Sequence, residues 1–235
     1  MIKQMNNKII EFSTTHPYLP MPKPAKLYVP DWYKKAPHWG NDNNLTIRDY
    51  NSNAGMKYCM PFQDSLTAGY MIELWCDIQV TQIEGTPSLN WMVDPDPVKL
   101  RPHDIAPTLP TPYGYSDDHF IWNNPYSMRL PKGYSAFLTH PVNRYDLPFI
   151  SLTGFVDADE IMPSWSPTPF FIRKDFEGII PAGTPIYQII PVKRDSWSSK
   201  VTPELETISQ KIHWLGRRST NGLYRATRWH KKVYQ

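Results

Sequence analysis

The stretch that decides the fold runs from Leu130 to Arg194. It opens LPKGYSAFLTHPVNRYDLPFISLTGFVDADE (130–160) and closes FEGIIPAGTPIYQIIPVKR (176–194). Pro131-Lys132-Gly133 and Pro181-Ala182-Gly183 are turn signals, because glycine supplies the positive φ that a tight turn demands. Each leads into an apolar run of strand length, Tyr134 to Thr139 and Pro185 to Val192. Between them Pro148 to Val156 reads as a strand that ends in an acidic corner, Asp157-Ala158-Asp159-Glu160. Phe170 to Arg173 reads as another strand.

Working outward, GYMIELWCDIQVTQIEG (69–85) is the clearest strand-type segment, with β-branched and aromatic residues alternating with Glu73, Asp77 and Gln79. SLNWMVDP (88–95) is a short strand stopped by Asp94-Pro95-Asp96-Pro97. Many short strands separated by turns imply a barrel or a sandwich. Composition points the same way: 25 Pro against 11 Gly disfavours helix interiors and central strands. The expected fold class is mostly β.

The two ends differ from this body. Residues 1–56 read as an extended arm, rich in proline and aromatics, with one helical turn at Pro30 to Lys35; it wraps its own body or a neighbouring subunit. The body spans 57–194. Residues 195–235 hold a C-terminal helix and a basic tail. Thr202 caps that helix, Pro203 takes its first position, and Glu204 and Glu206 complement its dipole. Leu205, Ile208, Ile212 and Leu215 make one apolar stripe, and Gly216 ends it.

Net charge is +3, unevenly spread. Lys211, Arg217, Arg218, Arg225, Arg228, Lys231 and Lys232 lie between Thr207 and Gln235 with no acidic residue, which leaves about −4 for the remainder. Such a tail fits nucleic acid or an acidic protein surface, and its aromatics (Trp214, Tyr224, Trp229, Tyr234) suit either base stacking or a subunit anchor. The two cysteines, Cys59 and Cys76, make neither a disulfide scaffold nor a metal cage and read as reduced core residues. No segment has the length of an apolar span or of a signal peptide. The expected location is the cytoplasm or a virion, with no membrane partner.

From Ser65 to Val192 the chain resembles the trimeric dUTPase and dCTP deaminase superfamily, whose fold is the β-clip. Thr67-Ala68-Gly69-Tyr70-Met71-Ile72-Glu73-Leu74 is similar to its first motif, and Pro131-Lys132-Gly133-Tyr134 to its entry into the next strand. Gly154-Phe155-Val156-Asp157-Ala158-Asp159 is similar to its acidic corner, and Gly183-Thr184-Pro185-Ile186-Tyr187-Gln188-Ile189 to its late strand. The resemblance implies a dUTPase-like β-clip barrel carrying the proline-rich arm and one C-terminal helix, in a trimer.

It also implies where the chemistry would sit. Asp157 takes the place of the general base. Arg144 is the one cation near the place of the phosphate clamp, with Gln188 in the strand beneath and Tyr134 at the strand entry. The magnesium-holding carboxylate is replaced by Met71, a thioether that cannot bind a hard cation, and Glu73 reaches that place only by a two-residue register shift. Glu160 stands where a tyrosine closes on the sugar, and the tail lacks the glycine-rich lid. Phosphoryl chemistry depends on positioning and charge neutralisation together, so these replacements point away from hydrolysis. The expectation is a non-catalytic binding or structural module, homo-oligomeric, virion-associated or accessory to a bacteriophage, with no cofactor. The alternative is a nucleotide-binding or nucleotide-processing enzyme that uses magnesium.

Other clusters carry less. Asp157, Asp159 and Glu160 suit a base, a cation site or an Asp-stabilised turn, and the turn is favoured. His103, Asp104, Asp117, Asp118 and His119 contain the residue types of a two-His-one-carboxylate iron site, as in a metal oxygenase, but their spacing fits no strand geometry. Scattered loop histidines of this kind face solvent. No metal site is assigned.

Overall fold

The computed structural model describes residues 8–38, 55–101, 109–216 and 223–235. In chain order the strands are β1 (Glu11–Ser13), β2 (Lys23–Pro24), β3 (Tyr70–Glu73), β4 (Ile78–Ile83), β5 (Thr86–Asn90), β6 (Val98–Arg101), β7 (His119–Trp122), β8 (Ser127–Arg129), β9 (Tyr134–Thr139), β10 (Phe149–Ser151), β11 (Gly154–Val156), β12 (Thr168–Ile172), β13 (Gly178–Ile180) and β14 (Pro185–Lys193). The helices are α1 (Asp31–Lys35), α2 (Met60–Thr67), α3 (Glu204–Gly216) and α4 (Leu223–Thr227). The protein is mostly β, and its strand pairs are antiparallel.

The strands do not close into the barrel the sequence suggests. They form four open sheets, in the orders β11-β9-β14-β3-β2, β10-β12-β7-β6, β13-β4-β5 and β1-β8. Two apolar runs explain the difference, because each breaks between sheets. The 69–85 run splits after Glu73: Leu74 exchanges backbone hydrogen bonds with Thr184 (2.8 Å) and Gly183 (2.7 Å), and the Asp77 carboxylate accepts the Ala182 N–H at 2.8 Å. The chain leaves the five-stranded sheet there and restarts as β4 in the three-stranded one. The 148–156 run splits at Leu152, whose N–H bonds to Pro169 O at 2.8 Å, so β10 and β11 lie in different sheets.

One core joins these sheets. Ile72, Ala136 and Ile189 come from the five-stranded sheet, Trp122, Phe149 and Phe170 from the four-stranded sheet, and Ile78, Val80 and Ile180 from the three-stranded sheet. Trp122 stacks on Phe170 with centroids 3.6 Å apart, and Phe149 meets Trp122 edge-on at 5.1 Å. The Trp122 indole N–H donates to Ser151 Oγ (3.0 Å), and that hydroxyl donates to Ile186 O on β14 (2.6 Å). A buried polar bridge thus fixes two sheets face to face with no unpaired indole.

The two turns of the opening stretch are as read. Tyr134 N bonds to Pro131 O and Thr184 N to Pro181 O, with Gly133 and Gly183 at φ +81 and +82, the left-handed position of a type II turn. Gly69 is required for a different reason. Its φ is +68, and a Cβ there would lie 1.9 Å from Ile189 O, so β14 passes directly over it.

The arm residues 8–38 lie along the chain's own body. β1 pairs with β8, Arg129 grips Glu11, β2 pairs with β3, and Leu19, Ala25 and Tyr33 are buried. Helix content exceeds the single C-terminal helix expected. α2 carries Pro61 in its first turn, where proline costs no hydrogen bond, but no side chain caps it, so the sequence marks its start weakly. Cys76 is buried, and burial pushes its thiol up to about 11. Cys59 is exposed rather than in the core, because it stands just before α2 at the surface. Among the described residues, no helix is long and apolar enough to cross a membrane.

Candidate functional site

The acidic corner is a clasp. Asp157 follows β11, and its carboxylate accepts the Ser135 hydroxyl at 2.5 Å and pairs with Arg194 at 3.1 Å. Asp159 accepts the Gly133 N–H at 3.0 Å and a two-pronged contact from the same Arg194 guanidinium. Arg194 N in turn donates to Gly133 O at 2.9 Å. One arginine at the end of β14 therefore ties the corner to the turn that opens β9. Both carboxylates are held below their usual range: Asp159 to about 2, by Arg194 and then the Gly133 N–H, and Asp157 by the Ser135 hydroxyl and then Arg194. A carboxylate stabilised as an anion is a weaker base. The corner matches the Asp-stabilised turn of the sequence reading, with Ser135 and Arg194 as partners that no spacing announced.

Arg144 and Gln188 sit elsewhere. Gln188 is fully buried in the middle of β14. Its carbonyl accepts Val142 N–H at 3.0 Å, and its amide donates to Ser65 O (3.1 Å) and Ala68 O (2.6 Å). Arg144 forks onto Asp146, with both contacts at 2.9 Å, and reaches Tyr28 O at 3.3 Å. His140 between them takes the Ser151 N–H on Nδ1 (3.3 Å) and meets Arg144 O through Nε2 (3.1 Å). The first contact makes Nδ1 an acceptor, so the proton is on Nε2, and burial, the main cause, keeps this imidazole neutral by lowering its pKa. Gln188 thus ties loop 140–146 to α2, Arg144 ties it to the arm, and His140 ties it to β10.

The four nominated residues therefore divide into two groups. Tyr134 and Asp157 flank the start of β9, while Gln188 pairs with Thr139 at its end. Val192, the partner of Ser135, lies four residue steps along the strand from Gln188, which is about 13 Å. Tyr134 lies under the Lys8 ammonium (4.8 Å to the ring) and lines a cavity of about 550 Å³ with Tyr70, Leu130, Pro131 and Tyr234.

No described cluster offers a metal cage. Met71 is buried and paired with Gln188 and Lys23 across the sheet. Glu73 is held by the Lys23 ammonium at 2.5 Å and by the Tyr28 hydroxyl. Among the described residues no three His, Cys, Asp or Glu side chains are grouped to hold an ion. His119, expected at the surface, is buried on β7 against Phe171, since that strand is covered on both faces. Asp117 faces Lys174 at 3.7 Å. His103, Asp104, Arg217 and Arg218 lie outside the described residues.

The C-terminal end is the second unforeseen feature. Asp64 on α2 receives the Trp229 indole N–H (2.9 Å) and the Lys232 ammonium (2.5 Å) on the same oxygen, Oδ2. The Tyr70 hydroxyl donates to Gln235 O at 3.0 Å, and Tyr234 packs edge-on against Tyr70. Before this, residues 192–201 are exposed, and α3 presents Leu205, Ile208 and Leu215 at 59%, 52% and 50% exposure.

Compared with known proteins, the sequence matches no family model and no curated relative.

Proposed function

We propose that this chain is a non-catalytic module of dUTPase-like β-clip type, which assembles with copies of itself as a structural or accessory component, as in a bacteriophage particle. The observation that carries this reading is Arg194, which neutralises Asp157 and Asp159 together. The candidate base is thereby part of a turn. Gln188 and Arg144 have likewise given their donors and acceptors to the chain itself. An apolar surface is left over for a partner copy. The α3 stripe follows a 3-4-3 spacing, the seam of a coiled coil, and three of its four residues, Leu205, Ile208 and Leu215, are exposed.

Light scattering coupled to size exclusion tests the assembly reading. The expected mass is a small multiple of 27.4 kDa, a trimer by the resemblance. A strict monomer at all concentrations removes it. Incubation with nucleoside triphosphates and magnesium tests the catalytic alternative: turnover of any of them would overturn the non-catalytic reading.

A further inference from the structure

We propose that the C-terminal segment, residues 223–235, is a binding site for single-stranded nucleic acid, held closed in cis by Asp64. This does not depend on assembly, since a monomer would carry the same site.

Two donors of different kinds, an indole N–H and an ammonium, converge on one carboxylate oxygen of Asp64. A phosphate oxygen accepts the same pair and brings more charge. Around this point lies a cavity of about 250 Å³ lined by Lys26, Lys231, Lys232, Trp229 and Tyr234. It is smaller than the ~300–1,000 Å³ of a typical small-molecule pocket, and suits one phosphate with part of its base. Arg225, Arg228 and Lys231 are exposed, and among the described residues none of them forms an ion pair with a carboxylate. Lys231 lines the cavity, and Arg225 and Arg228 stand a few residues before it along a segment, 223–235, that contains no acidic residue.

The aromatic side chains select the class of polyanion. Tyr224 is 44% exposed, and the Trp229 ring has the Lys232 ammonium 6.0 Å from its centroid. Alternating cations and ring faces take up a backbone whose bases are free to stack. An acidic peptide has no flat faces to offer, and a duplex has already stacked its own. The cis contact is built to yield: the side chains of Lys232 and Asp64 are 46% and 21% exposed, so salt and competing phosphates reach them. Asp64 thus occupies the position of a phosphate until a strand displaces it.

Fluorescence anisotropy on the full-length protein tests this, with a labelled oligo(dT) of about 20 nucleotides, longer than the ~4–16 of one module. A duplex of equal length and a poly-glutamate peptide serve as the other arms. The expected result is oligo(dT) binding at least about tenfold tighter than either, falling as salt rises. R225E/R228E should weaken it by about tenfold or more, and Trp229→Ala should weaken it without altering the salt slope. Asp64→Asn should tighten it several-fold and steepen the slope by about 0.7, one more phosphate neutralised. If the charge-reversed protein melts early, R225Q/R228Q makes the same comparison. No oligo(dT) binding at low salt, poly-glutamate binding of equal strength, or an Asp64→Asn protein with unchanged affinity would each overturn the proposal.

Discussion

Two carboxylate sites in this molecule use the same chemistry to opposite ends. At the corner, Asp157 and Asp159 meet a guanidinium, a hydroxyl and a backbone N–H, and every partner belongs to the β9–β14 framework. At α2, Asp64 meets Trp229 and Lys232, both from a terminal segment far away in sequence. The difference lies in what else holds the partners. Arg194 follows directly on a nine-residue strand paired on both sides, whereas Trp229 and Lys232 follow a short helix whose residues are mostly exposed. Carboxylate–cation pairs become fixtures or catches according to the chain that carries them.

Four variants sharpen that contrast, ordered by their effect on the body. Trp122→Ala removes the stacked centre of the four-stranded sheet and should cost about 4 kcal/mol in urea unfolding. A loss under about 1 kcal/mol would mean that the sheets are not locked face to face. Gln188→Ala leaves Val142 N, Ser65 O and Ala68 O without their partner inside the protein. It should cost about 2–3 kcal/mol, read from the same curves. If nucleotide affinity rather than stability fell, Gln188 would be a ligand contact.

Arg194→Ala should be visible mainly in the pH dependence. Asp159 titrates lower in the folded chain than its ordinary 3.8, at about 2. Its contribution is therefore present above pH ~4 and lost as pH falls towards 2, with the unfolded chain taking up the proton first. Melting scans across that window should show a steeper acid loss in the wild type than in the variant. Equal slopes would detach the corner from stability. The smallest effect on melting belongs to Ile208→Glu with Ile212→Glu, a change on an exposed helix face that should leave the body within about 0.5 kcal/mol. The mass by light scattering should nevertheless fall to that of one chain, and an unchanged oligomer would acquit the α3 stripe.

The legible part of this fold was its strands and turns. Tyr134–Thr139 appears as β9 with its bounds as read, because Gly133 starts it and His140-Pro141 stops it. What could not be read was where a run changes sheet. Leu74 and Leu152 are ordinary apolar residues, and only their partners, Thr184, Gly183 and Pro169, reveal the breaks. The candidate site behaved likewise. Asp157, Gln188 and Arg144 could be nominated through the family resemblance, but the groups that occupy them are Ser135, Arg194, Ser65 and Asp146, which are remote in sequence or unremarkable in type. The tail's charge was plain, while its anchor, a lone Asp64 in a helix with no capping signal, was not.

The two thiols make this protein its own reporter. Cys59 is open to solvent, while Cys76 is buried with its thiol pushed up to about 11, so a maleimide dye at neutral pH has a single address. That address lies five residues before Asp64, about 7–8 Å along the helix axis. A dye there sits at the start of the helix that carries Asp64, so its emission would report, in real time, a change in surroundings as the C-terminal segment docks or leaves.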